Sequence, residues 1–224
     1  MEMHISKRIN ILRAIVMGAN DGIISIAGVV FGVYGASMNA WDIFLAGLTA
    51  TIAGTFSMAT GEYVSVNSQL DSERAARAQQ IMALDQHFNQ EKEFLTQHYL
   101  ADGITAEHAR ALAQQTMQQD ALNETLHARY GIDEDNLISP IEAALASMIA
   151  FPIGAILPMV GMTLVPAPYR VITTLVFVVL ALVLTGYFSA VYGNTPKTRV
   201  ILRNVLMGVV TMGVTYVVGL LMVA

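Results

Sequence analysis

The sequence predicts an all-α membrane protein: five transmembrane helices, with a cytosolic helical insertion between the second and the third. Two observations carry that expectation. Of the 224 residues, 54% are hydrophobic and only 13% are charged, too apolar a balance for a water-soluble domain of this size. Five apolar stretches are each long enough to cross a hydrocarbon core of ~30 Å, which takes ~20 helical residues, and one polar piece rich in Gln, Ala, Glu and His lies between the second and the third.

The first span covers residues 14–34 and follows a polar segment carrying Lys7, Arg8 and Arg13. That apolar stretch is too long for a signal peptide and lacks a small-residue cleavage site. The remaining spans cover residues 43–63, 141–165, 169–191 and 204–223. Each reads as a helix, because an open strand leaves its backbone polar groups unsatisfied in lipid. Lys and Arg then set the orientation. Lys7, Arg8 and Arg13 precede the first span, Arg74, Arg77, Lys92, Arg110 and Arg129 lie between the second and third, and Lys197, Arg199 and Arg203 lie at the connection of the fourth to the fifth. Only Arg170 falls on the other side. The N-terminus is therefore expected in the cytosol and the C-terminus outside, in a multi-pass protein of the cell membrane rather than a vacuolar one.

Three regions follow: residues 1–64 with the first two spans, a cytosolic helical domain over 65–139, and residues 140–224 with the last three spans. In the middle region Ile81, Leu84, Phe88 and Leu95 recur at helical spacing, which predicts one face of a helix continuing inward from the second span. Asp102-Gly103 breaks that pattern, and a second helix over about 105–130 ends at Gly131, a residue suited to the left-handed position past a helix end. A helical hairpin or small bundle of this size buries little core by itself, so packing against a partner copy is expected.

Several function classes are excluded. The net charge of −5, without a basic patch, argues against a nucleic-acid partner. With no cysteine there is neither a disulfide framework nor a thiolate site. No nucleophile constellation or nucleotide loop is present, and all five His lie outside the spans, so the chain is not expected to be an enzyme or to carry a resident cofactor.

The chemistry concentrates on a few side chains. An ionisable group in mid-span costs about 2.5–3.5 kcal/mol on insertion scales, yet Asp21 stands roughly 10 Å into the first span. Glu62 lies at the cytosolic end of the second span, with Met58 one turn deeper on the same face. Two antiparallel helices can thus present Asp21, Met58 and Glu62 at similar depth. The same spacing extends the stripes to Thr51 and Thr55 on the second span and to Met17, Ser25 and Gly28 on the first. Carboxylates alone suit Mg2+ and Ca2+ as well as Fe2+ and Mn2+, whereas a thioether adds soft character that favours a transition metal. A carboxylate that gives up a metal can take a proton, so the two ions compete for one place. The plainer readings are packing for a Met in an apolar helix, an interfacial position for Glu62, and close helix contact for the glycines, including Gly47, Gly54 and Gly61 at heptad spacing. In the polar region Asp85, His87, Glu91, Glu93, Asp120, Glu124 and His127 include pairs at helical spacing, which read first as a solvated face.

The run Asp21-Gly22-Ile23-Ile24-Ser25, the run from Ser57 through Met58, Gly61 and Glu62 to Ser65, and the third span with Pro140, Pro152 and Pro158 resemble the vacuolar iron transporter family in order and spacing over essentially the whole chain. The resemblance implies a five-span homodimer with a pathway between protomers, a cytosolic metal-collecting domain, and proton-coupled export of Fe2+ or Mn2+ from the cytosol. By position, Asp21 and Met58 match pathway residues. There are departures: Ala50 stands where plant members carry a glutamate about two turns before the Met, the first cytosolic helix reads Ala75-Ala76-Arg77-Ala78-Gln79-Gln80, and the domain ends Arg129-Tyr130-Gly131. Glu73, Glu91, Glu93 and Glu124 remain as candidate metal ligands there. The alternative function is a membrane metal sensor or scaffold that does not transport.

Overall fold

A computed structural model describes residues 3–132 and 139–223, with side chains from residue 11 onward. Lys7 and Arg8, used above for orientation, have side chains outside the described residues. Seven helices follow in order: α1 (Met3–Ala36), α2 (Ala40–Ala101), α3 (Ala106–Gln119), α4 (Ala121–Tyr130), α5 (Pro140–Leu164), α6 (Arg170–Tyr192) and α7 (Lys197–Leu221). There is no strand among the described residues. Five of these helices contain a stretch long and apolar enough to cross a membrane. α1 and α7 begin well before the predicted spans, because hydropathy marks the apolar part of a helix and says nothing about where its hydrogen-bond ladder starts. The chain divides into two compact units, Met1–Val64 with Ile138–Ala224, and Ser65–Leu137.

In the first unit α1 is the central helix and packs against α5, α6 and α7. Its glycines explain how. A Cβ placed on Gly22 would overlap the Phe151 carbonyl of α5, and one on Gly154 of α5 would overlap the Ala19 carbonyl of α1, so these two helices meet backbone to backbone. At the other end of α1 the Gly219 position of α7 lies directly against the Gly32 carbonyl. Such approaches let helices gain dispersion contacts that larger residues would prevent, which matters where lipid removes the hydrophobic drive for helix association. Around them Ile23, Ile26, Ala27, Val30 and Phe31 of α1 form one core with Phe151, Met162, Val178, Leu182 and Met212. At the end of the bundle holding the α1–α2 and α5–α6 connections, the buried Arg170 donates to the carbonyls of Val165 (3.3 Å) and Met38 (3.2 Å).

α2 is attached differently. It makes no comparable backbone approach to the other helices among the described residues. Instead, side chains of α5 lodge in its glycine notches: Met159 against Gly47 and Phe151 against Gly54. Trp41, Leu45, Leu48, Ile52 and Phe56 of α2 are exposed on its outer side.

The second unit departs from the predicted continuous helix. α2 loses helical geometry at His87 (φ −135°, ψ 36°), and Gln80 Nε2 donates to Glu91 Oε2 at 2.7 Å. Eleven residues of straight helix would span roughly 16 Å, so the chain folds back between them. Ile81 and Phe88, placed by periodicity on one face with Leu95, are exposed at 45% and 43%, while Leu95 is fully buried. The spacing continued through the break only on paper; the contacts of Leu95 with Ala113 and Met117 decided the fold. The second predicted helix is likewise two. Asp120 interrupts it and caps α4, its side chain accepting from the Asn123 amide. Gly131 ends α4 in the left-handed conformation, φ 66°.

Glu91 is the buried acid of this unit. Arg129 Nη2 donates to both of its oxygens, at 3.0 and 2.9 Å, and the guanidinium lies 4.1 Å above the Phe94 ring. Replacing Arg129 by Met leaves a buried carboxylate without its counter-charge. Breaking such a pair costs about 3–5 kcal/mol when fully buried; with the Arg129 side chain 35% exposed, the lower end is expected. Hydrogen exchange should rise across α4 in that variant, and Glu91→Gln in the same background should recover part of the loss. Unchanged exchange in α4 would show the pair to be structurally idle.

Candidate functional site

Between α1 and α2 lies a cavity of about 320 Å3. It is open on one side and has room for several waters, enough for a hydrated divalent ion. The α1 wall is Asp21, Ser25, Ile26 and Val29, a stripe at helical spacing. The α2 wall runs from Glu62 and Gly61 through Met58 and Ser57 to Gly54 and Ala50, and the Phe151 ring of α5 closes the third side. The three residues singled out on α1 and α2 therefore share one space. Asp21, Met58 and Glu62 all line it, as antiparallel packing of a helix carrying Asp21 with one carrying Met58 and Glu62 four residues apart requires.

Ser25 Oγ donates to Asp21 Oδ1 at 2.9 Å, one turn along the same helix. That bond orients one carboxylate oxygen and leaves the other available. Asp21 is exposed within a single chain, and Met58 and Glu62 are half-buried. Two acids facing one cavity supply two negative charges. The thioether of Met58, packed against the core, adds one polarisable donor. The set suits a divalent cation with some affinity for sulfur.

Other residues of the predicted stripes fall elsewhere. Thr51 and Thr55 do not line the cavity; their hydroxyls donate to the Gly47 and Thr51 carbonyls of their own helix, both at 2.7 Å. Gly28 faces Thr211 and Thr215 of α7, and Met17 is 53% exposed outside the cavity lining. Phe151 was missed by sequence reasoning, since a Phe in an apolar helix looks the same whether it meets lipid, core or a cavity. Ser57 carried no expectation of its own, and Gly54 and Gly61, expected at a close helix contact, line the cavity instead. Ala50 does line the cavity, with no ligand atom to offer.

In the second unit the candidate ligands are not gathered. Glu73 accepts from Gln69 (2.9 Å), Glu93 accepts from Gln97 (2.8 Å), and Glu91 is held by Arg129 and Gln80. Glu124 stands exposed in the first turn of α4. No group of three or more His, Asp or Glu side chains is placed to hold a metal ion among the described residues.

The profile of the VIT family matches residues 12–220. "Vacuolar iron transporter homolog 2" of Arabidopsis thaliana is 31% identical over 220 residues, covering 96% of this chain and 88% of the relative. "Vacuolar iron transporter homolog 5" of Oryza sativa subsp. japonica is 32% identical, with 96% and 82% covered. "Vacuolar iron transporter" of Acanthamoeba castellanii is 32% identical, with 94% and 78% covered. Similarity that extends from the first span to the last, at this level of identity, makes the chain a member of the VIT family.

Proposed function

We propose that this integral membrane protein exports Fe2+ or Mn2+ from the cytosol in exchange for protons, through the cavity between α1 and α2. The observation that carries this reading is the convergence of Asp21, Met58 and Glu62 on one space within the apolar bundle. Glu62 is the first acid a metal meets from the cytosolic side, Met58 the soft donor one turn deeper, and Asp21 the acid facing both across the cavity. A proton neutralises the carboxylate once the metal has gone, so the empty site recrosses without a buried charge. The cytosolic unit, through Glu73, Glu93 and Glu124, gathers cations weakly; Glu91 takes part only by giving up Arg129. The basic residues flanking the spans support a cytosolic N-terminus, and the proposed direction is the same in a cell membrane as in a vacuolar one.

A homodimer completes the reading. Asp21 and Ser57 are exposed in one chain, and a carboxylate at that depth facing hydrocarbon is costly. A second copy covering the open side of the cavity removes that cost and makes the pathway common to both protomers.

Purified protein in sealed liposomes, with an imposed pH gradient and Mn2+ or Fe2+ outside, tests the proposal. Metal flux that follows the gradient, with counter-movement of protons, is expected. Metal binding without flux would instead make the protein a sensor.

A further inference from the structure

The cavity has two unlike ends. Glu62 marks one; Val29 and Ala50, neither with a ligand atom in its side chain, mark the other. One turn beyond Ala50 on α2 is Gly47, and next to Val29 on α1 is the fully buried Val30. Met159 of α5 lies beside them. A Cβ built on Gly47 would overlap the Met159 sulfur and lie 3.1 Å from its Cε and 3.1 Å from Val30 Cγ1. The thioether thus fills the space that a side chain at position 47 would occupy, one turn along α2 from Ala50 at the apolar end of the cavity.

Two features make this stopper movable. The Met side chain has three rotatable bonds and a polarisable sulfur, so it leaves and refills a gap at low cost. Its neighbour in α5 is Pro158, which has no N–H and so removes the hydrogen bond to the Gly154 carbonyl, loosening the ladder beside Met159.

We infer that Met159 closes the far end of the cavity and is the second thioether a metal meets after Met58, so that it controls release and favours ions that accept sulfur. This rests on the transport reading above. An aliphatic plug would exclude every hydrated cation alike. A thioether plug offers a donor while it is being displaced, partly replacing the water a transition metal has shed, and offers Mg2+ or Ca2+ nothing comparable. Gly47 is the seat that permits it.

The test uses the full-length protein in proteoliposomes, with Mn2+ as probe and Ca2+ as the hard comparison. Met159→Leu conserves volume, a class of swap that costs less than about 1.5 kcal/mol of stability. It should bind Mn2+ in detergent as tightly as the parent and transport it about tenfold more slowly. Gly47→Ala, which pushes the sulfur from its seat, and Met159→Ala, which empties the plug, should each admit Ca2+ relative to Mn2+ more readily than the parent. Parent-like Mn2+ rates in Met159→Leu, together with parent-like Ca2+ discrimination in the two alanine variants, would overturn the inference while leaving transport through the cavity standing. Absence of both Mn2+ and Fe2+ flux in the parent protein would overturn the transport reading itself, and this one with it.

Discussion

Asp21→Asn should reduce metal flux in liposomes by two to three orders of magnitude while the protein remains folded. The expected size follows from charge. At an effective dielectric constant of about 20, a unit charge ~4 Å from a divalent ion contributes roughly 8 kcal/mol; solvent around the exposed Asp21 screens about half of it, which leaves about 4 kcal/mol, close to three powers of ten in an equilibrium constant. Asn keeps the shape and still accepts from Ser25, whose hydroxyl lies 2.9 Å from Oδ1, so the local helix packing survives. What disappears is the acid that the α1 wall presents to the cavity among the described residues, leaving Glu62 on the α2 wall. Glu62→Gln removes the other, but from the end of the cavity nearest water, where screening weakens each charge; its loss should be smaller and should shrink as metal concentration rises. Met58→Leu removes no charge, and should shift preference from Mn2+ and Fe2+ toward Mg2+ and Ca2+ rather than abolish flux. Flux in Asp21→Asn within a factor of about two of the parent, a difference well under 1 kcal/mol, would take Asp21 out of the mechanism.

Asp21, now placed on the cavity wall, stood out in the sequence because a charge in mid-span has few neutral explanations. Met58 and Glu62 were legible because four residues on a helix is one turn, whatever surrounds it. The cavity's third wall was not legible. Phe151 reaches the site through a tertiary fact, its ring seated in the Gly54 notch, and its own helix gives no sign of it. The stripe of Thr51 and Thr55 misled for a related reason. Periodicity assigns a face, but a hydroxyl in an apolar helix satisfies itself on the carbonyl one turn back, and small residues at 50, 54, 57 and 61 took the cavity side.

The second unit shows the same division. Its helical character and its stop at Gly131 followed from local rules, whereas the reversal at His87 and the pairing of Glu91 did not. Glu91 looked like a metal ligand while its partner lay 38 positions further along the chain. A long-range ion pair leaves no trace in local spacing.

The second large effect concerns packing. Gly22→Ala should unfold or misassemble the membrane unit although alanine is the better helix former by about 0.8–1.0 kcal/mol. The added methyl would meet the Phe151 carbonyl, and a backbone oxygen fixed in its own helix cannot swing aside as a side chain does. Overpacking a close-fitted contact costs about 1–3 kcal/mol, occasionally more, and here relief requires α1 and α5 to separate along the pair's whole interface, including the reciprocal contact of Gly154 with the Ala19 carbonyl. The same displacement would carry the Phe151 ring out of the Gly54 notch and so deform the cavity, so flux should fall further than the loss of folded protein accounts for. Gly213→Ala is the control, because a Cβ there meets nothing within 4 Å; that variant should melt at or slightly above the parent temperature. Melting of both variants in detergent, with the fraction eluting as parent-sized particles, decides the matter. If Gly22→Ala were as stable as Gly213→Ala, α1 and α5 would not be joined by the backbone contact described here, and the position of Phe151 beside Asp21 would lose its structural basis.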